Sequence, residues 1–168
     1  MKTAIIVDID GILFDPTARL ERCKKLNNTI DWDKAFSNVE VINDPMLPNA
    51  NAKLKLLSSL LSYVPLIILM TGRSDACTDA TIAAMVVNDI CWDTIEMRKT
   101  NDLRPDHEVK AEMIRLYSNY TFLFAVDDDY NGGLTPMYNS FGIPVYYSLD
   151  EAIYANSVFP FNATDGEK

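Results

Sequence analysis

Lys2-Thr3-Ala4-Ile5-Ile6-Val7-Asp8-Ile9-Asp10-Gly11 decides the fold. Thr3 to Val7 is a short run rich in β-formers that stops abruptly at two carboxylates and a glycine. Its apolar character is continuous rather than alternating, which suits a strand covered on both faces, as in a parallel sheet. Two more runs have the same form. Leu66 to Met70 leads into Thr71-Gly72-Arg73-Ser74-Asp75, and Phe122 to Val126 leads into Asp127-Asp128-Asp129. Helical spacing fills the intervals at Ala50 to Leu61, Thr78 to Val87 and Val109 to Tyr117. Ile95 to Met97 and Val145 to Tyr147 are further strand candidates, the latter introduced by Gly142-Ile143-Pro144. Strand and helix therefore alternate, and the expected fold is α/β, a doubly wound, Rossmann-like parallel sheet. Ligands in such sheets bind beyond the carboxyl ends of the strands, where each strong run delivers its polar cluster.

A chain of 168 residues fits a single domain and buries roughly 70% of its unfolded surface. We expect one domain over residues 1–168, with residues 13–50 forming a small cap inserted after the first strand and 160–168 a flexible tail. No apolar run approaches the roughly 20 residues of a membrane span. Asp8 and Asp10 interrupt the first apolar run too early for a secretory leader, so no membrane partner is expected. Cys23, Cys77 and Cys91 make neither a CxxC pair nor an even disulfide set, which suits a reducing, cytoplasmic setting. The net charge of −9 excludes a broad basic surface for gripping polynucleotides non-specifically. Clustered carboxylates account for part of it, and a bound divalent cation would offset them.

Each cluster has a chemical reading and a plain one. Asp8 and Asp10 share a face if the strand extends through them; one can attack phosphorus while the other donates and later accepts a proton. Asp and Gly are also ordinary turn residues, so the pair alone leaves both readings open. Thr71, Gly72 and Arg73 offer a hydroxyl and a closely approachable backbone N–H to a phosphate, or equally an N-cap at a strand-to-helix turn. Three consecutive carboxylates at 127–129 repel one another unless a cation or proton intervenes, and magnesium suits such all-oxygen ligands. Lys110, early in a helical segment opened by Pro105-Asp106-His107-Glu108, can balance that charge and hold a phosphate. His107, the only histidine, reads as a surface residue.

In this order, DxDG, TGR, Lys and a strand ending in DD, the segments resemble the four motifs of the haloacid dehalogenase (HAD) superfamily of phosphohydrolases. Within it, the chain is most similar to the 3'-phosphatase domain of bacteriophage-type polynucleotide kinase, over roughly Lys2 to Tyr147. The likeness includes Asp31-Trp32-Asp33-Lys34, Val41-Ile42-Asn43, Arg104-Pro105-Asp106-His107-Glu108-Val109-Lys110 and Phe124-Ala125-Val126-Asp127-Asp128. The resemblance implies a phosphomonoesterase in which Asp8 is the nucleophile, Asp10 the general acid and base, and Thr71 and Lys110 the phosphate binders. It also implies a magnesium site on Asp127 and Asp128 with Asp8 and Asp10, and a substrate-binding set of Gly72, Arg73, Arg19 and Asp106. Ile12 stands where the motif has threonine, and Asp129 where a basic residue follows the DD pair. No GxxxxGK[ST] phosphate loop occurs in the chain.

The expected substrate is a 3'-phosphate on a nucleic-acid end or nucleotide. The alternatives are a 5'(3')-nucleotidase acting on free nucleoside monophosphates, and a catalytically silent nucleotide-binding protein. Trp32, in the cover segment, is a candidate to stack on a base, although an aromatic in a helix more often simply packs.

Overall fold

A computed structural model describes residues 2–61, 65–130 and 132–158. Five parallel strands form one sheet in the order β3-β2-β1-β4-β5. They are β1 (Lys2–Val7), β2 (Leu66–Ser74), β3 (Thr94–Arg98), β4 (Tyr120–Val126) and β5 (Val145–Tyr146). The helices are α1 (Thr17–Arg22), α2 (Trp32–Ala35), α3 (Asn38–Val41), α4 (Ala50–Leu60), α5 (Thr78–Val87), α6 (Asp106–Leu116), α7 (Leu134–Ser140) and α8 (Leu149–Val158). The expected α/β doubly wound sheet is therefore present, with all five strand candidates in it. No described helix is long and apolar enough to cross a membrane. The tail expected at 160–168 lies outside the described residues.

The continuous apolar runs follow from burial on both faces. Along β1, Ile5 and Val7 enter one core with Leu54 and Leu57 of α4, Met85 of α5 and Leu149 of α8. Ala4 and Ile6 enter the opposite core with Val109, Met113 and Ile114 of α6 and Tyr138 of α7. Each such fully buried Val or Ile side chain contributes about 1.5–3 kcal/mol. A register shift of one residue in β1 would still present apolar groups to both layers, so register is set elsewhere. The polar strand ends set it: Val7 pairs with Leu69 and with Val126, which puts Asp8, Met70 and Asp127 side by side.

Two expectations need correction. β2 does not stop at Met70; it continues through Thr71-Gly72-Arg73 to Ser74, pairing with β3 across an irregularity between Thr71 and Ser74. The N-cap belongs to Ser74, whose hydroxyl accepts from the Ala76 N–H to open a 3-10 turn. β1, by contrast, ends at Val7 before reaching the two acids. Gly11 then takes φ +81, and the Leu13 and Phe14 N–H groups both donate to the Ile9 carbonyl, closing a tight turn. The strand alternation that would align Asp8 and Asp10 therefore does not reach them; Asp8 faces Lys110, and Asp10 faces Arg19 and Arg73.

Candidate active site

Asp8 leaves the end of the central strand nine-tenths buried, its N–H donating to the Val126 carbonyl. The Lys110 ammonium stands 3.2 Å from its Oδ1 without making a hydrogen bond, and that oxygen is the one buried side-chain polar atom without a partner among the described residues. Lys110 arrives from the second turn of α6. Pro105 and two acids, Asp106 and Glu108, open that helix, as suits its positive N-terminal end. Spacing by four puts Asp106 and Lys110 on the same helix face.

Lys110 donates to Oδ2 of Asp127 at 2.6 Å, and the buried Tyr138 hydroxyl donates to the same oxygen at 3.0 Å. Burial works against the Lys110 charge, but the facing Asp8 and Asp127 carboxylates outweigh it and raise its pKa well above the ordinary value. Burial also pushes the Asp8 carboxyl well up; Lys110 opposes the shift, while Asp127 and Asp10 add to it. Asp128 is raised as well, by burial and then by Asp127. One oxygen each from Asp8, Asp127 and Asp128 lies within 4.8 Å of the others. Negative charge is concentrated here beyond what Lys110 offsets. Three hard oxygen donors with one unpartnered lone pair fit a magnesium ion, which favours carboxylates and keeps several waters.

Asp129 takes no part in that group. At φ +47 it turns back, and its two oxygens accept from the N–H groups of Leu134 at 2.7 Å and Thr135 at 3.1 Å. These backbone donors outweigh its burial and lower its pKa. The residue at the motif's basic position is therefore a cap for α7.

Asp10, expected among the metal ligands, instead directs both oxygens at arginines. Oδ2 accepts from Arg19 at 2.8 Å, and Oδ1 accepts from Arg73 Nε at 3.1 Å and Nη2 at 2.5 Å. Burial would raise its pKa, but Arg73 and Arg19 together lower it. Both guanidiniums are fully buried and converge again on Asp44, which pairs with Arg19 at 2.9 Å and Arg73 at 3.0 Å. Arg19 also donates to the Ala35 carbonyl at 3.0 Å. Burial nevertheless drives the Asp44 carboxyl up to about 6 against the pull of the two arginines. Asp44 is a site residue that sequence reading missed. It follows Val41-Ile42-Asn43 directly, and an acid one position past a family segment was the available signal.

Thr71 is buried in β2, its hydroxyl accepting from the Arg73 N–H at 3.2 Å. Gly72 is forced by crowding, since a Cβ there would lie 2.6 Å from Oδ1 of Asp106. That oxygen accepts from Arg98 at the end of β3, which also donates to the carbonyls of Gly72, Asp102 and Arg104. Arg98 was not singled out from the sequence either, because arginines at strand ends are common. Gly11 is likewise forced: a Cβ would lie 2.0 Å from Oδ2 of Asp128. Ile12, in place of the motif threonine, is buried in the core that contains Leu13 and Phe14. Trp32 sits on α2, stacked on Phe36 at 5.4 Å and about half exposed.

A family model described as "Polynucleotide kinase PNKP phosphatase domain" matches residues 2–146. No curated protein matches the chain in sequence. Among solved structures, "Structure of the Pnkp1/Rnl/Hen1 RNA repair complex" is similar in fold, with TM-score 0.65 and 23% identity, covering 87% of this chain and 42% of that one. "Structure of Pnkp1/Rnl/Hen1 complex" gives TM-score 0.65 and 24% identity over 87% and 45%. This chain thus spans less than half the length of either. "Crystal Structure analysis of a Dehalogenase with intermediate complex" matches over nearly its whole length, 96% of this chain and 98% of that one, with TM-score 0.56 and 11% identity. With the whole sheet and every motif inside the matched span, the chain belongs to the polynucleotide kinase phosphatase-domain family and is a HAD-type phosphatase.

Proposed function

We propose that this phosphatase is a magnesium-dependent phosphomonoesterase that works through an aspartyl-phosphate and removes 3'-phosphate from nucleic-acid ends or nucleotides. The observation that carries the reading is Oδ1 of Asp8: a buried carboxylate oxygen, unpartnered, beside one lysine and two further acids. Asp8 would attack phosphorus in line, forming the acyl phosphate as the bond to the leaving oxygen breaks. Lys110 and Thr71 would hold the transferring phosphoryl group, and the Gly72 segment would border it. Asp8, Asp127 and Asp128 would hold magnesium, which when bound supplies positive charge to the phosphoryl oxygens.

Asp10 would protonate the leaving oxygen and then take a proton from the water that cleaves the acyl phosphate. Arg19 and Arg73 hold it as a carboxylate, the form needed for the second step. An incoming phosphate dianion adds negative charge beside it and moves its pKa back up, towards the form needed for the first. Asp44 anchors both arginines, so their part is to position Asp10 rather than to touch substrate. Residues 13–50, with α1–α3, would form a small substrate cover on a single domain, in a cytoplasmic setting. A neighbour of the same fold is part of an RNA repair complex, which supports a nucleic-acid end as substrate.

Phosphate release should be measured from a 3'-phosphorylated oligonucleotide and from 3'- and 5'-mononucleotides, with magnesium or with a chelator. We expect magnesium-dependent release favouring the oligonucleotide end. Asp8→Asn should abolish turnover while leaving thermal stability intact. Normal rates in that variant would falsify the nucleophile assignment, and a preference for free mononucleotides would make the enzyme a nucleotidase.

A further inference from the structure

The chain's net charge of −9 is unevenly distributed. Between Arg19 and Glu40 the four exposed cations, Arg22, Lys24, Lys25 and Lys34, are matched by Glu21, Asp31, Asp33 and Glu40, and the buried Arg19 is paired with Asp10 and Asp44, so the surface of this segment is balanced while the remainder is strongly acidic. Trp32 lies in its middle, on a helix of only four residues. An indole buried on both faces would help hold so short a helix in place, since isolated helices of this length do not persist. Trp32 is instead 52% exposed: Phe36 covers one face of its ring, at an interplanar angle of 20°, and the other is left open.

A continuous line of contacts connects that ring to the chemistry. Phe36 packs under the Arg19 guanidinium at 5.4 Å, and Arg19 donates to Asp10 at 2.8 Å. Trp32 is therefore joined to the Asp8–Asp10 turn through Phe36 and Arg19. An aromatic face open to solvent offers a single strand a π surface on which a base can stack, whatever its identity.

We propose that the open face of Trp32 is a stacking platform for a nucleobase next to the 3'-phosphate, making the enzyme selective for base-bearing ends over bare phosphomonoesters. The inference rests on the 3'-phosphatase reading and names the feature of the substrate that this surface recognises.

Two oligonucleotides with a 3'-phosphate test it, one ending in a normal nucleotide and one in an abasic sugar. The wild-type protein should favour the base-bearing end in kcat/KM. Trp32→Ala should raise KM for that end roughly tenfold, with kcat changing much less, so that the preference collapses. Trp32→Phe should restore most of it. A direct reading comes from indole emission in a Trp92→Phe background, where Trp32 is the remaining tryptophan; base-bearing ends should quench it and abasic ends should not. A preference untouched by Trp32→Ala, or quenching that ignores the base, overturns the platform while leaving the phosphatase reading intact. Base-dependent quenching without any 3'-phosphate release supports the platform and removes the 3'-phosphatase reading.

Discussion

Asp127 shows how a single carboxylate is divided between two tasks. Its Oδ2 accepts from Lys110 and from the Tyr138 hydroxyl and its Oδ1 from the Asp129 N–H at 3.3 Å, which fixes the side chain, and one of its oxygens also belongs to the acidic group. Tyr138 is fully buried, and among the described residues this hydrogen bond is the one its oxygen makes, so Tyr138→Phe removes one donor while preserving the ring. Groups that orient a metal ligand from behind typically affect metal affinity or activity by 10- to 100-fold. We expect Tyr138→Phe to raise the magnesium concentration for half-maximal activity by about tenfold. The shift in melting temperature on magnesium titration should move to the same extent. An unchanged titration in both readouts would make Tyr138 a packing residue only. Asp8, Lys110 and Asp127 were legible in the sequence because each is a chemically capable type placed at a strand end or an early helix turn. Tyr138 was not, since a Tyr among apolar residues on a helix carries no mark of which polar atom its hydroxyl will reach. Asp129 was legible only as a charge, because its role as the α7 cap depends on a left-handed backbone that brings its carboxylate back to Leu134 and Thr135.

At the level of elements, the same limit decides what the sequence gives up. Strands β1, β2 and β4 and helices α4, α5 and α6 carry long apolar patterns and were readable. α1, α2 and α3 span six, four and four residues, too short for a periodicity to register, and they hold their shape through tertiary contacts such as Arg19 to the Ala35 carbonyl. β2 outran its apolar run because Thr71 and Arg73 keep extended backbone while turning polar atoms into the site. Its close contact with α6 is made through Gly72, against which Asp106 is packed. Gly72→Ala puts a methyl group 2.6 Å from Oδ1 of Asp106 and must displace that side chain, and with it the Arg98 tether. We predict at least a tenfold loss of kcat/KM with a modest loss of stability, about 1–2 kcal/mol, in the range for overpacking. The double variant Gly72→Ala/Asp106→Ala should recover the stability and not the activity. If the single variant retains full activity, the packing of Asp106 on β2 has no bearing on catalysis.

The whole molecule concentrates like charge because a parallel sheet with β1 between β2 and β4 delivers every strand end to one edge. Asp8, Asp127 and Asp128 meet there, with Lys110 alone among the described residues to offset them directly, and that repulsion is a cost that a bound cation would relieve. The unfolded chain has no such site, so magnesium should bind the native state selectively and stabilise it. At a hundredfold excess over its dissociation constant the gain is about 2.7 kcal/mol, which in a chain of this size corresponds to a rise in melting temperature of roughly 5–10 °C. A net charge of −9 means that any salt will relieve some general repulsion, so the comparison must be made at matched ionic strength with sodium chloride. Screening acts on charges across the surface, whereas binding depends on the three carboxylates. Asp128→Asn separates the two effects, because it removes a partly exposed ligand while leaving the Lys110–Asp127 pair in place. The variant should melt slightly higher than the wild type in sodium alone, through relieved repulsion, and lose most of the additional rise with magnesium. A magnesium rise of the same size in Asp128→Asn would show that the cation is acting by screening, and would remove Asp128 from the metal site.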